Sequence, residues 1–121
     1  MNNQFTKRIA PSVVAQIEAA ADARAKGKQE REFAHLENAH VLGQESTYWH
    51  TKVHGLMLLW GLRNRSLKEI AGQMLRIIGA FTKTAIGLVP QGNTGGANVS
   101  PFRPMPLSAK HREIIEQAKV N

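Results

Sequence analysis

Apolar residues recur at helical spacing through most of this chain, and turn-forming residues cut the pattern into segments. Pro11 fits the first turn of a helix, where its missing N–H is not needed. From there Val14, Ile17, Ala21 and Ala25 share one face, and Gly27 is a natural C-terminal stop. A second helix is expected from about Gln29 to Leu42, with Phe33, Leu36, Glu37, His40 and Gln44 on one face and His35 pointing the opposite way. Ser46 or Thr47 then caps a third helix running to about Leu62. That helix is apolar over much of its circumference, through Trp49, Val53, Leu56, Met57, Leu58, Leu59 and Trp60, which predicts a central, buried position.

Ser66, with Glu69 three residues later, reads as a capping box opening a fourth helix. Its apolar side is Leu67, Ile70, Ala71, Met74, Ile77, Ile78, Phe81 and Ala85, and its wet side Lys68, Glu69, Arg76 and Lys83. Gly72 and Gly79 cost helix stability, which predicts a close helix approach on their flank. Pro90 ends the run. The stretch 90–106, rich in glycine and proline, fits neither helix nor interior strand. Val99, Phe102 and Met105 give it apolar anchors, so we expect an ordered strap lying over the helices. Ser108 caps a short final helix through Lys119.

The predicted architecture is therefore all-α: four main helices in two antiparallel hairpins, an extended C-terminal strap and a short fifth helix. The segment from Ala25 to His40, and the one from Leu62 to Leu75, each resemble the linker and second helix of a tetratricopeptide unit, at about the 34-residue period of that repeat. The 121 residues make one domain: an N-terminal arm 1–10, a helical core 11–89, the strap 90–106 and the terminal helix 107–121.

Composition narrows the chemistry. There is no cysteine, which removes disulfides, thiolate sites and cysteine nucleophiles and leaves histidine and carboxylates as the strong metal ligands. The redox compartment stays open on this ground. The net charge of +7 raises nucleic acid or an anionic membrane as partners, but the bases are scattered and not interleaved with aromatics, which disfavours a nucleic-acid footprint. No apolar signal core follows the first residues, and the Ile70–Val89 stretch is broken by Gln73, Arg76 and Lys83, so a cytoplasmic protein without a transmembrane segment is expected.

One constellation suggests chemistry. His50 and His54 lie one helical turn apart, and Glu37 and His40 share a face of the preceding helix. Paired histidines at that spacing bind zinc in helical enzymes, and Glu-x-x-His is the unit of di-iron carboxylate bundles. A dinuclear site would need two such units and further carboxylates, so one ion held by Glu37, His40, His50 and His54 is the expectation, with zinc or iron as the metal. A buried polar network without metal and mere partial exposure of the four groups are the competing readings. Gln44, Asn93, Asn98 and Arg103 are the candidates for groups supporting the site from the strap and the second helix. His35 and His111 are expected at the surface.

The chain resembles the bacterial family called domain of unknown function 3703. The resemblance spans nearly its whole length and rests on Ala39-His-Val-Leu-Gly-Gln44, His50-Thr-Lys-Val-His54, Met57-Leu-Leu-Trp-Gly61, Gly72-Gln73, the run from Thr82 to Pro90 and the distinctive string from Gly92 to Pro106. It implies no activity, cofactor or partner.

Two functions lead on the sequence, ahead of a weaker third, a nucleic-acid or anionic-surface binder acting through the basic face. One is a small intracellular protein binding a transition metal between helices, with a metalloenzyme using Glu37 as base as a sub-case that stays undecided. The other is a helical-hairpin interaction module with structural histidines and a protein partner or second copy.

Overall fold

The computed structural model describes residues 3–85, 93–97 and 104–119, with the side chains of 78 and 80–85 outside the description. Five helices follow in order, α1 (Asn3–Ala25), α2 (Gln29–Gly43), α3 (Thr47–Arg63), α4 (Leu67–Ala85) and α5 (Ala109–Lys119). No strand occurs among the described residues.

α1 begins eight residues ahead of Pro11, so most of the expected N-terminal arm is helix and Pro11 lies inside it. The reason is apolar burial. Phe5, Ile9 and Val13 repeat every four residues and are buried, and the stripe continues through Ala20 and Ala23. This rotates the inward face by one position from the expected one and leaves Val14 exposed. The exit is as the sequence indicated. Gly27 takes φ +71°, its N–H donates to the Arg24 carbonyl, and the Lys28 N–H donates to the Ala23 carbonyl. This paired closure is the Schellman stop.

α1 packs most extensively on α2, and α3 on α4; α2 also packs on α3, and α5 lies against α1 and α2. Ser46 caps α3 by accepting from the Trp49 N–H at 3.3 Å, and the Trp49 indole N–H donates to the Thr6 carbonyl at 3.1 Å. Gly43 makes room for this corner, because a Cβ there would meet the Trp49 Cβ at 2.8 Å. Ser66 receives the Glu69 N–H at the start of α4, and Ser108 receives the His111 N–H before α5. The buried core includes Ile9, Val13, Leu36, Leu42, Val53, Met57 and Ile115.

Two expected faces differ. α3 is not buried all round, since Tyr48, Leu59 and Leu62 are each more than half exposed. α4 turns Gln73 inward and leaves Leu67, Met74 and Leu75 outward. Periodicity fixes which residues share a face, while the neighbours decide which face is covered. The close approach at Gly72 exists, but the neighbour is Ala97 rather than a helix: a Cβ at Gly72 would stand 2.6 Å from the Ala97 Cβ.

α2 and α3 are also tied by a bidentate pair. Arg63 donates from Nη1 and Nη2 to the two carboxylate oxygens of Glu32 at 3.1 and 2.7 Å, with the Glu32 side chain 6% exposed. Arg63→Met removes the partner of a buried carboxylate. Because Arg63 itself is partly solvated, the expected loss is about 1–2 kcal/mol, below the figure for fully buried pairs. Chemical denaturation at neutral pH measures it.

Candidate metal centre

The site is built where α2, α3 and α4 meet the segment 93–97. On α2, Leu36, Ala39, His40 and Leu42 are buried, and on α3 His50, Val53, His54 and Met57. The histidines are held among apolar neighbours because their helices must bury those same faces. His40, His50 and His54 are 2%, 3% and 2% exposed, and one ligand nitrogen from each lies within 4.8 Å of the others. Ring centroids are 4.9 Å apart for His40 and His50, 4.7 Å for His40 and His54, and 4.9 Å for His50 and His54.

The hydrogen bonds around the rings fix their protonation. His40 Nδ1 stands 2.6 Å from the Asn93 backbone carbonyl, which can only accept, so Nδ1 carries the proton. His54 Nδ1 faces Gln73 Oε1. The orientation of that amide follows from its other end, where Gln73 Nε2 donates to the Gly95 carbonyl and to Glu69 Oε2, both at 2.9 Å. Reversing the amide would set its oxygen against two acceptors, so Oε1 faces His54 and His54 Nδ1 donates to it. Both Nδ1 atoms are thus donors, which leaves each Nε2 with its lone pair. Those two Nε2 atoms lie 3.1 Å apart. Two lone pairs at that distance oppose each other until a proton, a cation or a further donor comes between them.

The segment 93–97 is held on the site by its main chain. Besides the two carbonyls already named, the Ala97 N–H donates to Glu69 Oε1 at 3.0 Å. The Asn93 side chain turns back to accept from the Gly95 N–H at 2.8 Å. Gly95 has φ +83°, and a Cβ there would meet His40 Cδ2 at 2.5 Å, so the backbone lies directly on the imidazole.

The other anticipated groups fall differently. Glu37, one turn before His40, is half-buried and outside the three-histidine group. Burial, and then the charge of Glu69, hold its carboxyl above the usual range. Gln44 is buried as the C-cap of α2. Asn93 is buried and meets His40 through its backbone carbonyl. Asn98 and Arg103 lie outside the described residues. His35 is not a free surface group: its Nδ1 is 2.8 Å from Gln16 Oε1 and it is half-buried. His111 is half-buried too, and burial, followed by the charge of Lys110, lowers its pKa. Gln73, Glu69 and Gly95 were not assigned to the site from the sequence. A fully buried glutamine beside a glycine on α4 carries little sequence signal.

Fold and site together define an all-helical domain with a buried histidine cluster capable of holding a metal ion. The chain belongs to the family described as protein of unknown function DUF3703, whose model matches residues 7–115. No curated protein and no solved structure matches it. No helix among the described residues is long and apolar enough to cross a membrane.

Proposed function

We propose that this protein binds one transition-metal ion through His40, His50 and His54. The observation that carries the reading is the 3.1 Å approach of the His40 and His54 Nε2 atoms while both Nδ1 atoms donate to oxygen. Two imidazole nitrogens on a tetrahedral zinc, each at about 2.0–2.1 Å, stand about 3.3 Å apart. The rings are therefore spaced as ligands to one ion would be. Their outer nitrogens are bonded to oxygen acceptors, as those of metal-bound histidines usually are. A cation would also relieve the opposition of the two lone pairs without placing a charge on either ring.

An all-nitrogen set of three suits zinc or another late first-row ion. In this reading Glu37 is not a ligand, and the fourth position is left to water or an added donor. Glu69 and Gln73 orient His54, and the strap 93–97 orients His40. We read the α1–α2 and α3–α4 pairings as two hairpins of tetratricopeptide-like kind, with the site at the junction of the second hairpin and α2.

The exposed leucines of α3 and α4 favour a second reading, an interaction module in which one proton joins His40 and His54 and the histidines are structural. Elemental analysis of tag-free protein, prepared with metal in excess and then desalted, separates the two. One equivalent of metal per chain is expected. Loss of all metal on desalting would overturn the metal reading and leave the module.

A further inference from the structure

His40, His50 and His54 are so nearly closed off from solvent that an ion reaches them only when part of the surrounding structure moves. Among the described residues, three elements bear on them: the α2–α3 pair that carries them, α4 through Gln73, and the segment 93–97. The cost of moving each decides which one opens. Parting α2 from α3 would open the core that Leu36, Ala39, Val53 and Met57 share and break the Glu32–Arg63 pair. α4 is packed extensively along α3.

The segment 93–97 is bound in another way. Asn93-Thr-Gly-Gly-Ala97 brings no large apolar side chain to the contact. Its ties to the helices include three main-chain hydrogen bonds, from His40 Nδ1 to the Asn93 carbonyl, from Gln73 to the Gly95 carbonyl, and from the Ala97 N–H to Glu69. Water replaces such bonds at small net cost, whereas exposed core has no such substitute. Elements with few apolar contacts are the ones that open locally.

The segment also lies on the ligand ring itself. A Cβ on Gly95 would stand 2.5, 2.6 and 2.8 Å from His40 Cδ2, Cγ and Nε2. Similar distances to three ring atoms place Gly95 on the face of the imidazole rather than at its edge. Lifting 93–97 therefore uncovers His40, and breaking the Gly95–Gln73 bond loosens the amide that holds His54.

We propose that 93–97 is the gate of the metal site, an inference that rests on the metal reading above. The ion enters and leaves through the open form, and the closed form retains it. Metal and segment favour each other. An ion on Nε2 makes the Nδ1–H of His40 a stronger donor to the Asn93 carbonyl, so bound metal holds the gate shut. By linkage, a closed gate holds the metal more tightly.

Glu69→Ala and Ala97→Pro remove the two ends of one bond of the gate, and Ala97→Pro leaves the Glu69–Gln73 contact in place. Apo protein is mixed with cobalt(II), a spectroscopic stand-in for zinc, and visible absorbance follows uptake. Excess chelator added to the loaded protein follows release. Both variants are expected to speed uptake and release, each by about tenfold, the weight of one hydrogen bond to a charged acceptor. Arg63→Met, which loosens the helices and leaves the bonds of the gate intact, should keep both rates near those of the wild type. Faster release with unchanged uptake would make the segment a support for the ligands and overturn the gate, as would two unchanged rates. Uptake accelerated equally by Arg63→Met would also overturn it and place the opening between α2 and α3. A second readout needs no variant: hydrogen exchange at the Ala97 amide of the wild type should slow at least about tenfold when metal is bound. Equal exchange in the apo and loaded forms overturns the coupling of metal to gate. A wild type that takes up no metal overturns the metal reading, and the gate with it.

Discussion

His54→Ala is expected to lower zinc affinity by more than about 100-fold, because it removes a nitrogen that defines the site. Replacing groups that only orient ligands typically costs about 10–100-fold. Gln73→Leu, which keeps the volume but removes the acceptor for His54 Nδ1, should fall inside that range. Glu37→Gln should change affinity only a few-fold, since Glu37 stands outside the histidine group. Competition against a chelator of known affinity ranks the three variants. A Glu37→Gln loss as large as that of His54→Ala would restore Glu37 as a ligand. A Gln73→Leu variant with unchanged affinity would remove the argument from fixed ring protonation.

Gly95→Ala is the second large effect. The substitution is strained twice, by φ +83° and by the His40 ring that a Cβ would meet at 2.5 Å. Left-handed backbone costs an alanine about 1–2 kcal/mol, and overpacking adds about 1–3 kcal/mol. Gly27→Ala supplies the control, since Gly27 has φ +71° with nothing within 4 Å of its Cβ position. The expected result is a Tm loss for Gly27→Ala of several degrees, and a loss at least twice as large for Gly95→Ala, or a comparable loss accompanied by weaker metal binding if 93–97 detaches instead. Equal Tm losses with unchanged metal affinity would show that the strap does not bear on His40.

The helices were largely legible because their ends carry local chemistry. Gly27, Ser46, Ser66 and Ser108 each act through a neighbour a few residues away, so a sequence window contains the whole cause. The start of α1 was not legible from Pro11, because the preference of proline for a first turn was overridden by the burial of Phe5 and Ile9. The outward turn of Leu67, Met74 and Leu75 on α4 was invisible for a different reason. An amphipathic helix with a lone inward glutamine has two faces, and only the position of His54 shows that the glutamine side is the covered one.

The candidate site divides along the same line. His50 and His54 share a helix turn, and His40 lies on the adjacent helix, so spacing and adjacency were enough to join them. Gln73 and Gly95 enter through contacts with residues far along the chain, whose value depends on a hydrogen-bond direction or a backbone angle. No residue pattern encodes those. Glu37 illustrates the converse, because Glu-x-x-His places a carboxylate on the right face of α2 without deciding what it meets.

The manner in which 93–97 touches the site also shapes how this stretch tolerates change. Its contacts to His40, Gln73 and Glu69 are made by the Asn93 and Gly95 carbonyls and the Ala97 N–H, groups that every residue type except proline retains in full. A saturation library should therefore accept most side chains at Thr94, reject nearly all at Gly95, and reject proline at Ala97. Thr94 would then look variable to a residue count while the backbone path on either side of it stays fixed.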